Sequence, residues 1–405
     1  MSNTALKKTC IQVSLLFTLI SVSACVGGPK NEGALQNRSE GNITMSSTEI
    51  EWRICTWPQD KQAAVTLTFD DGTLDQYEVA LPLLEKYGVA ATYFLITGPR
   101  DTGVWEDGIH SRRLFDWDAA VDIASKGHEI GSHGVSHRDL RRLLWLDELS
   151  EIERELQWSR MEIQRYIPEE YRPAGNLLSF SWPYWRSTSE LEHLAGKYYI
   201  AARSGRGRLP LRIPPNSHSI NSVRVMSDDS PTKWRQNIEK ARNAQGWLLF
   251  SLHGIDNGHM AHNEIGWQPV SDDKFSKLLG MTQDPDLWTA PLGEVFRYST
   301  ERMAARLEIE ALQPGRIMLR LEDGLDDKVF DQPLTVELTL PEEYWNGFSG
   351  AVVESVKSGD STEGHLRAVV TQLERAGRGK TLRFDLLPNG ELVVLRGVVI
   401  QLYDR

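Results

Sequence analysis

From residue 52 onward, short apolar and β-branched runs alternate with longer amphipathic stretches. Runs at 64–69, 91–96, 128–133, 177–182, 198–203, 222–225, 247–253 and 287–290 have the length and composition of strands. Several are separated by segments with apolar residues at helical spacing. The clearest is 138–166, where Leu140, Leu143, Leu144, Ile152, Leu156 and Ile163 form a stripe amid Glu and Arg. Strand–helix alternation over roughly 250 residues predicts a parallel sheet, closed as a barrel or wound open. Beyond about residue 306 the period becomes two. Runs at 316–321, 334–340, 351–356, 366–373, 381–387 and 392–399 alternate apolar and polar residues, with turns at Asp323-Gly324 and Pro388-Asn389-Gly390. This predicts an all-β region over 306–405, most simply a sandwich.

The N-terminal end breaks both patterns. Lys7 and Lys8, an apolar stretch from Ile11 to Val22, and small residues before Cys25 have the layout of a secretory signal, too short for a membrane span. Val22-Ser23-Ala24-Cys25 resembles the lipobox of bacterial lipoproteins, which implies a signal over 1–24 and lipid on Cys25. Residues 25–50, rich in Gly, Asn, Ser and Glu, then read as a flexible tether. The expected location is the bacterial envelope, with the outer membrane favoured because Val26 replaces the aspartate of inner-membrane retention; plain secretion is the alternative. Lipid on Cys25 leaves Cys55 as a lone, buried thiol.

With 405 residues the chain is long enough for a large core and a second, smaller domain. Its net charge of −11 comes without any block of Lys or Arg, which argues against nucleic acid or an anionic membrane surface as partner. Acidic polysaccharides are repelled at long range unless a local basic pocket overrides the field.

Candidate chemistry gathers at the predicted strand ends. Thr68-Phe69-Asp70-Asp71-Gly72 closes the first run, and Ser132-His133-Gly134-Val135-Ser136-His137 closes the third. Neighbouring side chains on an extended backbone diverge. A turn at this point, which Gly72 permits, lets one carboxylate face a metal while the other faces water. A four-residue spacing puts two imidazoles on one side of a turn. Taken singly, Asp-Asp-Gly is usually a turn and His-x-x-x-His is usually accidental. Their joint position on the rim where parallel α/β folds place their sites favours a hydrolytic metal centre.

Phe180-Ser181-Trp182-Pro183-Tyr184-Trp185 and Trp247-Leu248-Leu249-Phe250-Ser251-Leu252-His253-Gly254 extend the order. The four motifs together resemble the polysaccharide deacetylase family, the carbohydrate esterases with a NodB homology domain. The resemblance implies a distorted (β/α) barrel over 51–305. It also implies Asp71, His133 and His137 as metal ligands, most simply for zinc, and Asp70 as general base. Tyr184 would offer its N–H to an oxyanion, Leu252 would wall an acetyl pocket, and His253 would act as general acid. The implied substrate is an acetylated oligo- or polysaccharide. Departures from the family pattern are Ser181, where an Arg often holds the catalytic Asp, and Gly134 after the first His. Arg203 is a substitute for that Arg by position alone. Asp228, Asp229 and Asp256 remain open as supports of His253.

Trp105, Trp182, Trp185 and Trp267 fall where an indole stacks on sugar or packs in a core, and the long segment 98–111 is placed to wall the cleft. His259 and His262 read as a solvated loop. N-deacetylation and O-acetyl esterase chemistry fit the same residues. A silent glycan-binding lipoprotein is disfavoured because every catalytic position is filled.

Overall fold

The computed structural model describes residues 40–45, 48–173, 178–205, 216–313, 315–341, 344, 351–355, 371–374 and 380–397. The expected signal, Cys25 and most of the tether lie outside these residues.

The strand Ala63–Asp71 shows why a barrel forms. Val65, Leu67 and Phe69 join an apolar cluster with helix residues such as Leu84, Ile123 and Leu278. Thr66, Thr68 and Asp70, also buried, alternate with them and so occupy the opposite face. Helices cover the apolar outside, and internal bonds satisfy threonines of the polar inside: Thr66 Oγ1 donates to Ala290 O (2.9 Å), Thr68 Oγ1 to Phe250 O (2.9 Å) and Thr92 Oγ1 to Glu129 Oε2 (2.9 Å). The sheet runs Ile220–Asn221, Ala201–Ser204, Ser179–Ser181, Glu129–Ser132, Thr92–Leu95, Ala63–Asp71, Trp247–Leu252, Val223–Arg224. All of these pairings are parallel. Its two outermost strands are separated in the chain by Ser222 alone, so the sheet curls until its edges nearly meet. The fold is the distorted (β/α) barrel with an all-β appendage.

The appendage pairs a five-stranded sheet (Glu40–Met45, Thr48–Ile54, Leu334–Leu340, Lys380–Leu386, Thr371–Glu374) with a four-stranded one (Arg306–Gln313, Arg316–Glu322, Asn389–Gly397, Ala351–Ser355). Leu307, Ile317, Leu319, Val336, Leu338 and Phe384 form one cluster with Trp57, Ala64, Phe94 and Trp247, so the sandwich shares its core with the barrel.

Three expectations need correction. The tether does not extend to residue 50: Thr48–Ile54 pairs with Leu334–Leu340, and Ile50 and Ile54 are buried. The partner strand lies far along the chain, where local composition carries no information. The predicted helix 138–166 is two helices, Leu140–Trp145 and Leu149–Tyr166, broken at Asp147 with φ 60°. Leu143 and Ile152 are nine positions apart, which places them about 180° apart on one helix, and the break lets both be buried. Within 366–373 the described part belongs to the strand Thr371–Glu374; the rest lies outside the described residues.

Candidate active site

Asp70 and Asp71 end their strand on the barrel rim, and the turn begins at Asp71 itself, with φ 74° followed by 75° at Gly72. A non-glycine residue there is strained, and the strain is held by Arg100. This buried guanidinium donates to Ile96 O (3.0 Å), Gly72 O (3.0 Å), Phe115 O (2.6 Å) and Asp71 O (2.7 Å). A Cβ at position 72 would lie 2.0 Å from Arg100 Nη2, so Gly72 is required by space as well as by φ. Burial pushes the Arg100 pKa down to about 9.

Asp70 is buried against Arg203, which stands on the strand Ala201–Ser204. Arg203 Nη2 reaches Asp70 Oδ1 at 2.6 Å and also contacts Oδ2 and Ser181 Oγ. Burial alone would raise the Asp70 pKa, but Arg203, with the nearby His133 and His253, brings it to about 2. The positional guess for Arg203 therefore holds in the geometry.

His133 and His137 flank a loop clamped by Glu155 of the helix Leu149–Tyr166. Its carboxylate accepts from Val135 N (2.8 Å), Ser136 N (2.9 Å) and Ser136 Oγ. A Cβ at Gly134, whose φ is +83°, would approach Glu155 Oε2 to 2.8 Å, which accounts for the missing hydroxyl residue. His133 Nδ1 lies 2.8 Å from Ser181 O. A carbonyl can only accept, so Nδ1 carries the proton and Nε2 presents a lone pair.

The ligating atoms of Asp71, His133 and His137 all lie within 4.8 Å of one another. Each Nε2 stands 3.6 Å or 3.7 Å from Asp71 Oδ1, too far for a hydrogen bond, and Oδ1 and His137 Nδ1 are buried without a partner. Burial lowers His133 to about 3 and His137 to about 4, and raises Asp71 to about 6. Asp71 Oδ1 and the lone pair of His133 Nε2 thus face each other as two acceptors. Two imidazoles and one carboxylate fit a divalent cation.

The strand Trp247–Leu252 delivers His253, with Nε2 3.5 Å from Asp70 Oδ2. Its ring meets Trp185 and Trp267 edge-on, each at 5.3 Å between centroids, and Tyr184 packs 4.6 Å from the His137 ring. These residues line a cavity of about 260 Å³ with Asp70, Asp71, His133, Trp105 and Arg112. Its outer wall is a hairpin, Val104–Glu106 with Ser111–Arg113, which starts within the segment 98–111 expected to wall the cleft and runs two residues past it.

Two expected substrate contacts are not on that cavity. Trp182 is fully buried, with Nε1 donating to His218 O (2.8 Å) and the ring against Phe180. Leu252 is in the apolar core. In both cases the neighbour, Ser181 or His253, faces the site, so strand alternation turns the expected residue away. Among the described residues, none of Asp228, Asp229 and Asp256 bonds His253; Asp229 instead ties Met226 N and Lys233. Arg100 and Glu155 were missed, because a Pro-Arg in a loop and a Glu on an amphipathic helix look solvated in one dimension. No local signal marks either one.

Asp71, His133 and His137 thus form a carboxylate–imidazole cluster at the strand ends of a parallel barrel, with the donor set of a divalent-metal site. Residues 58–200 match the family model described as polysaccharide deacetylase. It is 25% identical over 323 residues to the gellan lyase of a Bacillus species, covering 71% of this chain and 11% of that protein. It is 36% identical over 90 residues to a chitin deacetylase of a Pestalotiopsis species, covering 22% and 25%. The Streptococcus pyogenes deacetylase PplD, solved with acetate, matches at 22% identity over 42% of this chain and 69% of that one, with a TM-score of 0.36. The chain spans 11% to 47% of the length of the curated relatives it matches.

Proposed function

We propose that this protein is a divalent-metal-dependent hydrolase that removes acetyl groups from an acetylated glycan. The observation that carries the reading is the cluster of Asp71, His133 and His137, with Asp71 Oδ1 buried and without a hydrogen-bond partner, beside an Arg203-held Asp70, with His253 3.5 Å from that carboxylate. Asp71, His133 and His137 would hold the metal, which when bound supplies Lewis-acid polarisation and a lowered pKa for water. Asp70 accepts the proton of the attacking water. Its pairing with Arg203 keeps it charged and aimed but weakens it as a base, so Asp70 cannot drive the reaction alone. The N–H of Tyr184, a residue with φ 57°, would donate to the oxyanion. His253 protonates the departing nitrogen or oxygen, and the Trp185 and Trp267 indoles offer flat faces to a pyranose.

The test is acetate release from N-acetylated chito-oligosaccharides and from acetylated xylan, assayed side by side, before and after chelation and zinc restoration. Release that is lost with the metal and regained with zinc is expected. Release that is indifferent to chelation, or absent from both substrates with zinc present, would overturn the reading. The arm with the higher kcat/KM decides between amide and ester.

We also propose that the mature protein is anchored to a bacterial envelope by lipid on Cys25. Cys25→Ala should then release it in soluble form. Wild-type protein recovered wholly soluble with an unmodified N-terminus, by mass spectrometry, would leave a plain secreted enzyme.

A further inference from the structure

Arg112 lines the same cavity as Asp71, His133 and His137, and the hydrolytic chemistry does not use it. In the hairpin it stands directly opposite Trp105, and directly opposed residues share a face. Trp105 sits edge-on to His137 at 5.4 Å, so this face is the one turned toward the ligating residues. Arg113, the next residue, is turned outward and paired with Glu264. Arg112 has no carboxylate partner among the described residues; Nη1 donates only to the adjacent Ser111 O, at 3.0 Å. The hairpin's own acid on the cavity, Asp107, is already engaged, accepting from Ile109 N (2.9 Å), His110 N (2.7 Å) and lying 3.1 Å from His110 Nδ1. A second guanidinium, Arg224, lies over the Trp185 ring at 4.9 Å, again with no carboxylate partner among the described residues. In a chain of net charge −11, Arg112 on the cavity and Arg224 over a ring that lines it both stand without a carboxylate partner among the described residues.

We propose that Arg112, supported by Arg224, binds an anionic group of the glycan, a uronate carboxylate on a sugar next to the acetylated one. The inference rests on the glycan-deacetylase reading and names its substrate class. A half-buried guanidinium presents a planar fork that takes a carboxylate through two parallel hydrogen bonds. The overall negative charge slows the approach of a polyanion, but beyond about 8 Å that field is screened at physiological salt, while the arginines act at contact. A sulfate ester offers similar acceptors, and the test separates the two.

Binding is measured by calorimetry on the zinc-loaded full chain in an Asp70→Asn background, so that ligand is not consumed. The ligands are an acetylated glucuronoxylan oligosaccharide, the same oligosaccharide with its carboxyl reduced to the alcohol, and a sulfated counterpart. The acidic ligand is expected to bind about tenfold or more tighter than its reduced form, by a ratio that shrinks with added salt. Arg112→Gln should bring the ratio close to one, and Arg112→Lys, which keeps charge without the fork, should restore only part of it. A ratio near one before substitution, or one that Arg112→Gln leaves unchanged, overturns the proposal. Tighter binding of the sulfated ligand, lost with Arg112→Gln, supports the anion site and reassigns its anion. Acetate release by the unsubstituted protein separates the two readings. No release with an Arg112-dependent ratio overturns deacetylation and leaves the anion site standing, whereas release with a ratio of one does the reverse.

Discussion

The turn that carries Asp71 is gripped from below by Arg100, which donates to the carbonyls of Ile96, Gly72, Phe115 and Asp71. The loop between His133 and His137 is likewise gripped by Glu155. Across the cleft, the hairpin bearing Trp105 and Arg112 meets its surroundings through lighter contacts: the Trp105 indole to Ser136 O at 3.4 Å, and the exposed Arg113–Glu264 pair. The floor thus uses buried, fully used charged groups, whose removal strands several backbone partners. The wall uses rim contacts worth little singly. The proposed chemistry, which tolerates no displacement, would sit on the first kind of support, and the proposed substrate-facing wall on the second.

Substitutions ranked by expected effect can break that contrast. Asp71→Ala or His133→Ala should remove both bound metal and turnover from a folded protein, and stoichiometric zinc retained by the double variant, by elemental analysis, would rule this site out. Asp70→Asn should keep the metal while kcat falls about 10²- to 10⁴-fold; metal loss as complete as in Asp71→Ala would make Asp70 a ligand instead. Glu155→Leu should cost about 3 kcal/mol in denaturant unfolding, since it leaves half-buried amides of the histidine loop and the Ser136 hydroxyl unpaired, and should weaken zinc affinity as well. A variant that loses stability with unaltered affinity would show that the clamp does not set the ligand geometry. The smallest effect belongs to the wall: Arg113→Ala should change stability by no more than about 1 kcal/mol. It should raise KM for oligosaccharides more than for a small acetyl ester, and equal effects on both would remove the distinction between wall and floor.

Much of the molecule follows from patterns a single strand or helix can display. The parallel strands from Ala63–Asp71 to Leu287–Thr289 announce themselves as short apolar runs, and the ligating set is visible because Asp70-Asp71 and His133-x-x-x-His137 end two of them. The period-two signal after residue 306 was also enough to predict the two-sheet appendage, though not the two N-terminal strands that complete it.

What the chain alone could not decide is which distant groups meet. Ser181 stands where an arginine was expected, and only closure of the sheet brings Arg203 to Asp70. Trp182 and Leu252 had the right composition for a substrate pocket, but the facing of Ser181 and His253 turns them into the core. Arg100 and Glu155 read as surface charge because a buried charge is identified by its partners, and those partners are carbonyls and amides of other segments. Periodicity is a property of one segment. Charge compensation and burial belong to the assembled fold, so the sequence itself put the carboxylates and imidazoles of the candidate site at strand ends while the tertiary structure decided what holds them.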